Sequence, residues 1–186
     1  MMVEVSLADA WSDAAAREFF LNAWPMYVHD ISAFDSDFYR LDATGRWLPD
    51  IAGDWVATVT PAEHLRANHQ PSDQEQPYQR AHVIVHGERP VGFACVGLSP
   101  FRHMPPEADV ILAEFFLIHG SRGVGIGQHV ARALVGRYPG RWSLCAIHDN
   151  TRAIRFWRKT LPLLGVRDLR ERTIQRDIAW DFVAPP

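Results

Sequence analysis

"SRGVGIGQHVARAL", residues 121–134, sets Gly123, Gly125 and Gly127 within five positions at the entry of an amphipathic helical pattern. A glycine inside a helix costs roughly 0.5–1 kcal/mol relative to alanine, so such a cluster needs a compensating role. The N–H groups of a helix's first turn have no partner within the helix and carry partial positive charge. A glycine-rich entry lets an anion approach them closely. A charge-assisted hydrogen bond contributes about 1.5–3 kcal/mol, so two or three of them outweigh the propensity cost, and the stretch reads as a phosphate-binding turn. Its surroundings agree. "ADVILAEFFLIHG", residues 108–120, is long and apolar enough for a strand at the centre of a sheet. "QHVARALVGRY" puts Val130, Leu134 and Val135 on one helical face, and "RWSLCAIHD", residues 141–149, returns as a strand.

Spacing separates this turn from two better-known phosphate loops. The dinucleotide pattern GxGxxG starting at Gly123 would need glycine at 128, where Gln128 stands. The GxxxxGK[ST] loop starting at Gly120 fails at Ile126 and Gly127, since no lysine follows Gly125. What remains is Arg122, Gly125 and Gly127 as RxxGxG. In this the chain resembles the GNAT acyltransferase superfamily, whose pyrophosphate loop reads [QR]xxGxG or [QR]xxGxA between the fourth strand and the third helix. "NTRAIRFWRK", residues 150–159, is similar to the family's second segment, an Asn with Ala at +3 and usually Tyr at +7. Here those places hold Asn150, Ala153 and Trp157. The resemblance covers residues 108–163; upstream it rests on the order of elements, with a weaker likeness of "WPMYVHD" and "FWR" to bacterial acetyltransferases of unknown substrate.

The remaining sequence supplies the other elements. "VEVSLADA", residues 3–10, alternates like a strand, and Ser12 is placed to cap the helix that follows. Pro25 predicts a kink, or two successive helices ending near Asp35. Residues 35–79 carry no usable periodicity. "RAHVIVHGERPVGFACVGL", residues 80–98, reads as an antiparallel hairpin around His86–Arg89. Asn150 is a good N-cap for a helix ended by Pro162 and Gly165, and "RERTIQRDIAWDFV" is β-like. The expected architecture is an α/β (α+β) domain over residues 1–186, with a mixed, mostly antiparallel sheet of six or seven strands and helices on both faces.

Composition narrows the function. The chain has 186 residues, 47% hydrophobic and 22% charged, with a formal net charge of −3. At this length a domain buries about 70% of its unfolded surface, enough for one core. The acidic balance argues against nucleic acid as main partner. No basic segment precedes an apolar run at the N-terminus and no run is long enough to span a bilayer, so a cytoplasmic protein without a membrane partner is expected. Cys95 and Cys145 both lie in apolar runs and are expected to be small core residues. The nine histidines form no HExxH pattern, so no metal is expected.

The resemblance implies acetyl-CoA as co-substrate, lying in a slot between strands that part after residue 114 and near residue 146. The implied cofactor-binding residues are Leu117 and Ile118, whose main chain would pair with the pantetheine amides, the loop amides of Arg122, Gly123, Val124, Gly125, Ile126, Gly127 and Gln128, and Asn150, Phe156 and Trp157. It also implies an amine acceptor, a small molecule being favoured, and no covalent enzyme intermediate. An alkylammonium of pKa near 10.4 is almost wholly protonated at pH 7, a deficit of roughly 4 kcal/mol that a general base would offset. Glu114 is the candidate base, because a carboxylate inside "VILAEFFLI" is costly to bury unless it is paired or working. Trp157 departs from the family's tyrosine, and an indole N–H donates a hydrogen bond but no usable proton, which leaves the general acid unassigned. His148, Cys145 and His119 lie near the expected slot. His29, Asp30, Asp35, Asp37, Trp47 and Trp55 are expected near the acceptor. The rival readings are a CoA-binding module without turnover and an acetyltransferase of protein N-termini or lysines; a monomer or a homodimer fits either.

Overall fold

The computed structural model describes residues 4–34, 40–45, 47–48, 79–101 and 104–185. In chain order its elements are β1 (Val5–Asp9), α1 (Ala14–Ile31), β2 (Arg40–Leu41), β3 (Trp47–Leu48), β4 (Gln79–His86), β5 (Arg89–Leu98), β6 (Val110–Leu117), α2 (Ile126–Arg137), β7 (Arg141–Ala146), α3 (Thr151–Thr160), β8 (Arg167–Ile174) and β9 (Asp177–Val183). Seven strands form one sheet in the order β1-β4-β5-β6-β7-β9-β8. Every neighbouring pair is antiparallel except β6 and β7, which are joined through α2 and run parallel. β2 and β3 pair separately inside the region whose sequence carries no periodicity. Among the described residues no helix is long and apolar enough to cross a membrane.

Two apolar layers hold helices to the faces of this sheet, as expected. On one face Phe20, Ala23, Trp24 and Val28 of α1 pack on Ala81, Val83, Phe93, Cys95 and Phe116. Phe20 meets Phe93 edge-on at 4.8 Å and Trp24 meets Tyr27 edge-on at 5.7 Å, contacts worth about 0.5–1.5 kcal/mol each beyond their area. On the other face Val130, Leu134, Ile154 and Trp157 from α2 and α3 cover Ile84, Ala94, Val96, Leu112 and Leu144.

Three local expectations are corrected. The cap of α1 is Asp13, whose Oδ1 accepts from the N–H groups of Ala15 and Ala16 at 2.9 and 3.0 Å. Ser12 is drawn instead into the turn closed by the Asp13 N–H on the Asp9 carbonyl, and a carboxylate better complements the helix's positive end. Pro25 does not divide the helix: α1 runs unbroken from Ala14 to Ile31, because the buried face on both sides of Pro25 is already anchored to the sheet. Cys95 is fully buried, but Cys145 is exposed, for it lies one residue beyond the last β6–β7 pair, where the strands separate.

That separation follows from a bulge. Leu112 pairs with Val96 and Glu114 with Cys95, so Ala113 has no partner on β5. One extra residue reverses the facing of everything after it. Val110 and Leu112 face α2 and α3, and after the bulge it is Phe115 and Leu117 that do so. Glu114 thereby joins Phe116 on the α1 side, opposite Cys95. The parallel pairing with β7 stops at Leu112↔Leu144, earlier than the expected parting after residue 114.

Candidate active site

Where β6 and β7 part, two clefts meet. The larger, about 690 Å³, runs along the glycine turn and α3. The smaller, about 340 Å³, lies between the diverging strands and α1. Tyr27, Ile31, Phe115, Asn150, Ala153 and Trp157 line both and form the waist between them.

The glycine turn opens α2. Gly123 and Gly125 have φ of +82° and +92°, left-handed values that cost an L-residue roughly 1–2 kcal/mol. A Cβ at either would meet no protein atom within 4 Å, so the space beside them is open. Gly127 has a different reason: a Cβ there would stand 3.0 Å from the Phe156 ring, so its smallness sets how closely α2 approaches α3. The Gly125 carbonyl accepts the N–H of His129, leaving the amides of Ile126, Gly127 and Gln128 as the unpartnered first turn. Ile126 itself is buried, whereas Val124 is exposed at the tip of the turn.

Arg122 is turned inward. Its Nε donates to the Leu117 carbonyl at 2.6 Å, its guanidinium pairs with Asp30 and lies 5.7 Å from the centre of the Phe116 ring, and its backbone N–H donates to the His119 carbonyl. It ties β6, α1 and the turn together, where an anion contact was expected. Ile118 likewise uses its N–H on the Val91 carbonyl, and its own carbonyl accepts from Ser121. Strand-like pairing of a ligand with Leu117 and Ile118 would therefore rely chiefly on the Leu117 N–H. Arg152, Arg155 and Lys159 of α3, which the sequence reading missed, line the larger cleft beside Arg122. Their signal was present in the spacing: cations at 152, 155 and 159 share one helical face.

Charge changes sign across the waist. The smaller cleft is lined by the carboxylates of Glu114 and Asp177 and by no Lys, Arg or His among the described residues. Glu114 is only 4% exposed, and burial raises its pKa to about 7 against a hydrogen bond from the Tyr27 hydroxyl, which lowers it. Burial first, then the nearby Glu114 charge, pushes the Tyr27 phenol well above its usual value. Asp177 Oδ1 accepts the His148 N–H at 3.0 Å. Cys145 lines the same cleft, where its thiol, although the residue is exposed, is partly withdrawn from water; this, reinforced by Asp177, raises it. Asn150 lines both clefts while its Oδ1 accepts the Ala153 N–H at 3.0 Å, so capping leaves its amide NH₂ available. Trp157, 5% exposed, sits edge-on to Phe115 at 5.3 Å and to Phe156 at 4.7 Å.

Of the residues expected near the acceptor, His29 and Asp30 line the larger cleft instead, with Asp30 held by Arg122 and by His119 at 3.3 Å. Asp35, Asp37, Trp55 and the Trp47 side chain lie outside the described residues. His148 is exposed and lines neither cleft, and His119 lines only the larger. Among the described residues no three His, Cys, Asp or Glu side chains gather in a metal-holding group.

The model of the acetyltransferase (GNAT) family matches residues 47–161. No curated protein matches the chain in sequence. Three solved structures share its fold over nearly all of its length. An acetyltransferase from Thermus thermophilus is 16% identical, with TM-score 0.53 and 98% of each chain covered. An aminoglycoside 6'-acetyltransferase type Ii is 14% identical, with TM-score 0.57 and 98% of each chain covered. A phosphinothricin acetyltransferase from Sinorhizobium meliloti in complex with AcCoA is 17% identical, with TM-score 0.54, covering 99% of this chain and 90% of that one.

Proposed function

The chain belongs to the acetyltransferase (GNAT) family, and from that premise we propose that it moves an acetyl group from acetyl-CoA to the amine of a small cationic molecule by direct attack. The observation that carries this reading is the change of charge between two clefts that meet at the waist where Tyr27 donates to Glu114. The larger cleft suits CoA: open left-handed glycines beside free helix amides accept a pyrophosphate, and Arg152, Arg155 and Lys159 offer cations for the remaining phosphate. When bound, acetyl-CoA supplies the activated acyl group.

This chain's own residues do the rest. The carboxylates of Glu114 and Asp177, with no Lys, Arg or His beside them among the described residues, favour an ammonium in the smaller cleft. Glu114, with a pKa of about 7, is near half ionised at neutral pH and matched to remove that ammonium's proton. Cys145 keeps its proton, so it is a poor nucleophile, which favours direct transfer over a thioester on the enzyme.

Calorimetric titration with acetyl-CoA tests the reading. Saturable binding by the wild type is expected, weakened roughly tenfold per reversed charge in Arg152→Glu and Lys159→Glu, both exposed on α3. Gly125→Ala should weaken it too, with thermal melting as the control for backbone strain. Absence of binding at millimolar ligand would overturn the proposal.

A further inference from the structure

Resting on the reading above, we propose that Tyr27 of α1 is the residue that returns a proton to the departing CoA sulfur, acting with Glu114 as a two-residue relay. The transfer must take place where the two clefts join, since the acyl group passes from one to the other. Tyr27, Ile31, Phe115, Asn150, Ala153 and Trp157 line both. Of these, only the Tyr27 phenol carries a proton it can give up; amide and indole N–H groups donate hydrogen bonds without releasing the proton. The same hydroxyl already donates to Glu114 Oε2. Trp157, buried on α3, leaves the waist with no acid from that helix.

Once Glu114 has taken the ammonium's first proton and released it to solvent, the proton count of the transfer closes within the pair. Glu114 accepts the proton released as the amine nitrogen forms its bond to the acyl carbon and the carbon–sulfur bond breaks. Tyr27 gives its phenolic proton to the sulfur and takes one back from Glu114 along their hydrogen bond. Both residues end as they began, and the net change is one proton moved from nitrogen to sulfur. A lone tyrosinate would be a poor resting product here, since burial disfavours it; reprotonation by a carboxyl of pKa about 7 removes that difficulty, and a thiol of pKa near 8.5 ends as the better proton holder.

The test compares the wild type with Tyr27→Phe, which keeps the ring contacts to Trp24, Phe93 and Phe116. The main readout needs no turnover: the thiol of bound CoA is titrated by its thiolate absorbance in the ultraviolet. A phenol donating to the sulfur stabilises the thiolate, so the wild-type complex should titrate at lower pH than the Tyr27→Phe complex. Glu114→Gln, whose amide oxygen still accepts from Tyr27, should keep the wild-type thiol titration while losing turnover. In kinetics, Tyr27→Phe should lower kcat roughly 10²-fold with the KM for acetyl-CoA little changed. CoA binding with identical thiol titrations in wild type and Tyr27→Phe would overturn the relay alone. Failure of the wild type to bind CoA would overturn the relay and the acetyltransferase reading together.

Discussion

Glu114 shows how one side chain acquires a chemistry that its type does not specify. The residue is legible in the sequence because a lone carboxylate interrupts "VILAEFFLI". Its facing is not legible, since apolar residues at every position on either side of it leave no alternation to reveal the Ala113 bulge that turns it toward α1. Without that extra residue Glu114 would follow Leu112 into the layer beneath α2 and α3. Burial on the α1 side gives it a pKa of about 7, and it must be ionised to accept a proton. The kcat/KM of the wild type should therefore rise with pH through about 7. In Glu114→Gln it should fall roughly 10²- to 10⁴-fold and lose that acidic limb, as steady-state kinetics across pH 5–9 would reveal. An unchanged profile would remove Glu114 from the chemistry.

At the scale of elements, α1 contributes to the site from both sides of the waist. Its Tyr27 reaches Glu114, and three residues later Asp30 holds Arg122. Arg122 begins the RxxGxG motif, whose loop amides the resemblance assigns to the pyrophosphate. The structure bends it back onto the Leu117 carbonyl, so it braces the turn that presents the amides. Asp30→Asn removes the charge but keeps the shape. It should loosen the turn and raise the KM for acetyl-CoA several-fold, with a smaller change in kcat, since neither group touches the acceptor cleft. A kcat loss at constant KM would contradict the bracing role. None of this was readable from the helix's own sequence, where Pro25 argued for a kink or for two successive helices and the packing of Trp24 and Val28 keeps it one.

For the molecule as a whole, two buried groups oppose each other in the pH dependence of stability. Glu114 has a folded pKa of about 7, above the ordinary 4.5, so its stabilisation is full below 4.5 and is lost as pH rises through 7. His82 is fully buried against the Tyr138 hydroxyl at 2.6 Å, and burial, aided by Arg137, lowers its pKa from 6.5 to about 4. It must stay neutral when folded, so stability is lost as pH falls from about 6.5 toward 4. Each shift corresponds to roughly 3 kcal/mol, and the two nearly cancel across the shared window. Denaturant melts should therefore show Glu114→Gln losing stability on acidification from about pH 7 to about pH 4.5, while His82→Gln gains it; parallel behaviour of both with the wild type would refute this balance.

What the sequence determined by itself was local: the glycine turn, the helix it opens, the Asn150 cap, the strand order around them and the membership these imply. Such features depend on hydrogen bonds and periodicities spanning a few residues. What only the tertiary structure decided was which groups meet across the chain: Tyr27 on Glu114, Asp30 on Arg122, and the α3 cations beside the turn. Those pairings depend on a bulge and on helix docking, where the burial of a whole face outweighs the preference of any single residue.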